Sequence, residues 1–148
     1  MPGAEPEPST AVLDASVAVR WVIPERGSEQ AALLLSRPVG WIAPRLMVTE
    51  VAAAMRRKVV AGELRAETAL QALDIIVAAV DDGTIRLTED EDVVGTALAL
   101  ALTLGHKVPD CLYLAVAERE GARLVTADRQ LDQLARHRGI SSELIPSA

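Results

Sequence analysis

Four acids in this chain, Asp14, Glu50, Asp110 and Asp128, stand where solubility does not account for an acid. Asp14 ends the apolar run Ala11-Val12-Leu13, and Asp128 ends the similar run Leu124-Val125-Thr126-Ala127. Each is therefore expected at the carboxyl end of a buried strand, the edge of an open α/β sheet where ligands bind. Asp110 follows Pro109 and opens the nearly all-apolar stretch Cys111-Leu112-Tyr113-Leu114-Ala115-Val116-Ala117, so it enters the interior at the positive end of a helix. Glu50 interrupts the apolar side of a helix expected over 45–61, one turn from Leu46 and Ala54 and away from Arg56, Arg57 and Lys58. Four like charges gathered at one edge repel and raise one another's pKa unless a cation sits among them. A donor set made of carboxylates suits a hard Mg²⁺ or Mn²⁺ ion rather than zinc.

Each acid also has a purely structural account. Asp14 and Asp128 stand where a residue caps the following helix, and Asp110 suits the dipole of a first turn. Glu50 is open to a salt bridge with Arg20 or Arg45. Ser16 and Thr126, each two residues from an aspartate, either orient those carboxylates or bond locally within turns. The joint placement of all four acids favours the metal site. His106 and His137 lack partners at metal-ligand spacing and are expected at the surface. Arg20, Arg45, Arg129 and the Arg56-Arg57-Lys58 cluster either guide phosphates towards the acids, form a solvated face or meet a partner protein.

To bring these acids together the chain must alternate strands with helices. Strands are expected at 11–13, 39–43 (closed by Pro44), 84–87, 122–127 and 143–145. Helices are expected from about Ser16 to the stop at Pro24, over 28–36, over 45–61 ended by Gly62, and over 65–80. Further helices are expected over 92–104 closed by Gly105, from Asp110 onwards, and after Asp128 through Ala135. In the 45–61 helix the packed side reads Leu46, Val51, Met55 and Val59; in the 65–80 helix it reads Leu70, Leu73, Ile76, Val77 and Val80. Short apolar strands between helices predict a parallel sheet of four or five strands covered on both faces, with right-handed crossovers. The strand at 84–87 alternates and belongs near an edge. If the first and fourth strands are neighbours at the centre, Asp14 and Asp128 emerge side by side.

Composition narrows the function classes. A chain of 148 residues, 50% apolar, is one domain's worth of sequence with ample core. Only 2% of it is aromatic, leaving little from which to build base-stacking platforms. The net charge of -6 argues against a broad basic face for nucleic acid, yet permits a nucleic acid substrate at a metal-neutralised pocket. A lone Cys111 fits a reducing cytoplasm, and no stretch reaches the roughly 20 apolar residues of a membrane span. Residues 1–10 read as a disordered tail without signal-peptide character, and 11–148 as the folded domain. Phosphate-cradling glycine loops and a Gly-x-Ser-x-Gly elbow are absent from the sequence.

The chain resembles the PIN-domain ribonucleases, and in particular the VapC-type toxins of toxin–antitoxin pairs. The likeness lies in Val12-Leu13-Asp14-Ala15-Ser16, Ala43-Pro44 with Glu50-Val51-Ala52, Asp110-Cys111-Leu112-Tyr113-Leu114-Ala115 and Leu124-Val125-Thr126-Ala127-Asp128, and runs from about Ala11 to Pro146. It implies a three-layer α/β/α sandwich and Mg²⁺- or Mn²⁺-dependent cleavage of RNA by a metal-activated water, leaving a 5′-phosphate and a 3′-hydroxyl. By matching position, Asp14 and Asp110 would be the principal ligands, Glu50 would bind directly or through water, and Asp128 would assist, with Thr126 hydrogen-bonding nearby. Either Glu50 or Asp128 would take the water's proton. The resemblance further implies a cytoplasmic homodimer and a cognate antitoxin that fills the acidic groove. A housekeeping RNA-processing nuclease and a catalytically inactive binding module are the alternatives. A receiver domain would need a second acid beside Asp14 and a lysine near the last strand, and an aspartyl-nucleophile phosphatase would need an aspartate where Ser16 stands.

Overall fold

The computed structural model describes residues 10–24 and 26–146. The tail expected over the N-terminal segment lies, for residues 1–9, outside the described residues; Thr10 already opens the first strand. The elements in order are β1 (Thr10–Leu13), α1 (Ala15–Val22), α2 (Ser28–Leu35), β2 (Gly40–Pro44), α3 (Leu46–Val60), α4 (Ala66–Asp81) and β3 (Ile85–Thr88). A 3₁₀ turn (Asp90–Asp92) then precedes α5 (Val94–Leu104), α6 (Val108–Glu120), β4 (Arg123–Thr126), α7 (Arg129–His137) and β5 (Ser142–Leu144).

The five strands form one parallel sheet in the order β3-β2-β1-β4-β5, flanked by the helices. β1 is central because it is apolar on both sides: Ala11, Val12 and Leu13 are fully buried. From β1 the chain moves to β2 on one side and later returns to β4 on the other, so the switch point falls between β1 and β4. The register pairs Leu13 with Val125, and the Asp14 amide donates to the Val125 carbonyl at 3.1 Å. The third strand lies at an edge, as its alternation predicts.

α6 packs against β1, β2 and β4, and Cys111 through Ala117 are buried without interruption, as an all-apolar helix demands. Pro109 sits in its first turn, where no amide donor is missed, and Gly121 ends it at φ 61°. α4 meets expectation in part: Ile76 is buried, and Leu73 and Val80 pack against the core. Its buried face is Ala69, Ala72, Ile76 and Ala79, while Leu70 is 66% exposed and Val77 39% exposed. α4 packs against α3 and α1, with small side chains filling much of the contact face. In α3, Val51 and Met55 are buried as expected, joined by Met47. Among the described residues no helix is long and apolar enough to cross a membrane.

Candidate metal centre

Asp14, Glu50, Asp110 and Asp128 line one cavity of about 210 Å³, together with Ala15, Ser16, Val19, Ala54 and Arg57. Four separate elements deliver them: the end of β1, the first half of α3, the first turn of α6 and the residue before α7.

In each carboxylate the protein holds one oxygen. Asp14 Oδ2 accepts from Ser16 Oγ at 2.5 Å and from Thr126 Oγ1 at 2.7 Å. Those hydroxyls are themselves fixed, since the Ala127 amide donates to Ser16 Oγ and the Asp128 amide to Thr126 Oγ1, both at 3.0 Å. Glu50 Oε1 accepts from the phenol of Tyr113 at 2.6 Å. Asp110 Oδ2 lies 2.7 Å from His106 Nε2 and 3.8 Å from Lys107 Nζ. Asp128 Oδ1 accepts the Gln130 and Leu131 amides at 2.9 and 3.3 Å, capping α7. Among the described residues the second oxygen of each acid has no hydrogen bond.

The structural accounts of these acids fare unequally. Asp14 occupies the position before α1, yet its side chain makes no capping bond. Asp128 does cap, and still presents its other oxygen. Glu50 is bonded by Tyr113 rather than by Arg20 or Arg45.

Burial pushes the Asp14 carboxyl up to about 6; the Ser16 and Thr126 hydrogen bonds oppose this, and the charges of Glu50 and Asp110 add to it. Glu50 is raised as well, chiefly by desolvation, with Asp110 adding and the Tyr113 hydrogen bond, Lys107 and Arg57 lowering. The Tyr113 phenol is held well above its usual value by burial and by the neighbouring acids Asp14 and Glu50, so it remains a donor at neutral pH. Among the described residues no three acids, cysteines or histidines already close on a single point. They share a space of about 210 Å³, which suits an ion that keeps part of its water shell, as Mg²⁺ does. The all-oxygen lining and the half-held carboxylates therefore fit a hard divalent cation.

Two further residues serve the site although the sequence analysis gives them no role in it. His106 is corrected from a surface residue: its side chain is only 7% exposed and bonds Asp110 four positions on. Tyr113, within the 110–115 motif, donates to Glu50 and accepts weakly from the Ala15 amide at 3.4 Å. Its signal was available, because it carries the one phenolic tip in an otherwise apolar helix, one turn beyond Asp110. His137 is exposed, as expected.

Fold and site together define an α/β/α domain that gathers carboxylates over the switch point of a parallel sheet. A family model described as PIN domain matches residues 11–137. Ribonuclease VapC3 of Pyrobaculum aerophilum is 33% identical over 120 residues, spanning 81% of this chain and 90% of that relative. The crystal structure of Mycobacterium tuberculosis VapC20, described as a sarcin-ricin loop cleaving toxin, is similar with a TM-score of 0.69 at 16% identity, over 92% of this chain and 99% of that one. VapBC2 of Rickettsia felis, solved with a fragment of promoter DNA, gives a TM-score of 0.60 at 14% identity, over 92% of this chain and 98% of that one. The chain belongs to the PIN-domain family, among its VapC-type ribonucleases.

Proposed function

We propose that the protein is a Mg²⁺- or Mn²⁺-dependent endoribonuclease acting as the toxin of a type II toxin–antitoxin pair. The observation that carries this reading is the half-held set of four carboxylates around one cavity. A bound divalent ion supplies positive charge to the scissile phosphodiester and acidity to the attacking water. Asp14 and Asp110 would hold the ion, with Ser16, Thr126 and His106 fixing the oxygen of each that faces the protein. Asp128 assists from the start of α7. Glu50 is the proton acceptor in this reading, because desolvation raises its basicity while Asp128 spends one oxygen on capping α7. Water would attack phosphorus in line with the 3′ oxygen; the P–O3′ bond would break and the departing 3′ oxygen take up a proton, giving a 5′-phosphate and a 3′-hydroxyl.

The partners that go with this reading are RNA, a second copy of the chain and a cognate antitoxin that closes the acidic groove in the cytoplasm. The test is sequencing of 5′ ends in cellular RNA after induced expression, alongside cleavage of purified RNA in Mn²⁺ and in EDTA. Discrete new 5′-phosphate ends, lost in EDTA and in Asp14→Asn, are expected. Full metal-dependent cleavage by Asp14→Asn would overturn the assignment. Relief of the growth defect by a small protein encoded immediately upstream separates a toxin from a housekeeping nuclease.

A further inference from the structure

Four carboxylates and a net charge of -6 make the cavity hostile to a polyanion, so an RNA backbone crossing it needs a cation at hand. Among the described residues Arg57 is the cation that lines the cavity. The other candidates are engaged or elsewhere. Arg45 pairs with Glu89 at 2.9 Å, Lys58 with Glu63 at 4.0 Å, and Lys107 with Asp110 at 3.8 Å. Arg20 donates to the carbonyls of Ser16 and Arg26. Arg56 lines an apolar groove between α3 and α4, and Arg129 does not line the cavity.

Position on the helix explains the selection. Glu50, Ala54 and Arg57 stand at i, i+4 and i+7 of α3 and so share one face. Ala54, between them, is too small to block the guanidinium from lying over the cavity. Arg57 is exposed and forms no ion pair or hydrogen bond with a described residue, although its charge is felt at Glu50. A guanidinium beside acids that closes no salt bridge keeps its planar fork of donors available, and that fork matches phosphate oxygens.

We propose that Arg57 is a substrate-binding residue that grips a backbone phosphate of single-stranded RNA and holds it over the carboxylates of α3, β1 and α6. The proposal rests on the ribonuclease reading and deepens it. It predicts two effects of opposite sign, which a general loss of structure would not produce. In Arg57→Ala, a fluorescein-labelled mixed-sequence single-stranded RNA 20-mer should bind about tenfold more weakly at low salt, with the salt slope reduced by about 0.7. The same variant should bind Mn²⁺ about twofold more tightly in calorimetry, since a positive charge has left the ion's surroundings. Arg57→Lys should keep most of the salt slope while losing part of the affinity, and Arg56→Ala should leave both readouts unchanged. Unaltered RNA affinity and slope in Arg57→Ala, or an equal loss in Arg56→Ala, would overturn the role of Arg57 while wild-type cleavage still upheld the nuclease. A wild-type protein that neither binds nor cleaves RNA in Mn²⁺ would overturn both.

Discussion

Asp14 is a buried acid supported by two hydroxyls, and its protonation sets a measurable trade between stability and function. Its carboxyl titrates near 6 in the folded chain against an ordinary value of 3.8, because burial strips its water. Between those values the folded state keeps a proton that the unfolded state has released, so this group's contribution to stability falls as pH rises through the window. Above it the ionised carboxylate costs about 3 kcal/mol. In EDTA, Asp14→Asn should therefore be more stable than wild type by about 1–3 kcal/mol at pH 7.5, with the gap closing below pH 4, as read by urea denaturation. Mn²⁺ competes with that proton, so its affinity should fall as pH drops through about 6. Tyr113→Phe removes the donor to Glu50 and should weaken Mn²⁺ binding about tenfold with the circular dichroism spectrum unchanged. His106→Ala should do the same through Asp110, and His106→Gln, which can still donate, should restore part of the loss.

At the scale of elements, α6 is the piece that links core to site. Its buried apolar side chains pack under three strands while Asp110 and Tyr113 from the same helix reach the cavity and Glu50. Leu114→Ala, at a fully buried position, should cost about 2–5 kcal/mol and loosen the site with it, seen as a lower denaturant midpoint and weaker Mn²⁺ binding. α4 shows the opposite lesson. Its packed face joins the expected Leu73, Ile76 and Val80 to Ala69, Ala72 and Ala79, while Leu70 and Val77 face outward. Ala72→Leu should destabilise by about 1–3 kcal/mol through overpacking. Leu70→Ser, on the exposed stripe, should stay within about 0.5 kcal/mol in the same denaturation assay.

For the whole molecule, the sheet order puts repelling charges from distant parts of the sequence at one mouth, and the proposed cation would relieve them. Metal should therefore act as a global stabiliser. Mn²⁺ at a hundredfold excess over its dissociation constant should add about 2.7 kcal/mol at pH 7.5, visible as a rise in Tm that Asp14→Asn abolishes. The second copy of the chain that goes with the proposed toxin reading predicts twice 15.7 kDa in sedimentation equilibrium, and a monomer mass would remove it from that reading.

The order of strands and helices, the central first strand, the buried α6 and the four acids at its cleft were legible in the sequence, because each rests on local periodicity or on an acid breaking an apolar run. Local pattern placed Leu73, Ile76 and Val80 on the packed side of α4 but could not tell that Leu70 and Val77 fall outside it, since contact with α3 and α1 decides where that face ends. Nor could it give the bonds from His106 to Asp110, from Tyr113 to Glu50 or from Thr126 to Asp14, the last spanning 112 positions. Hydrogen bonds are decided at a few ångströms, and for side chains on different elements that proximity exists only once the sheet and its helices have packed.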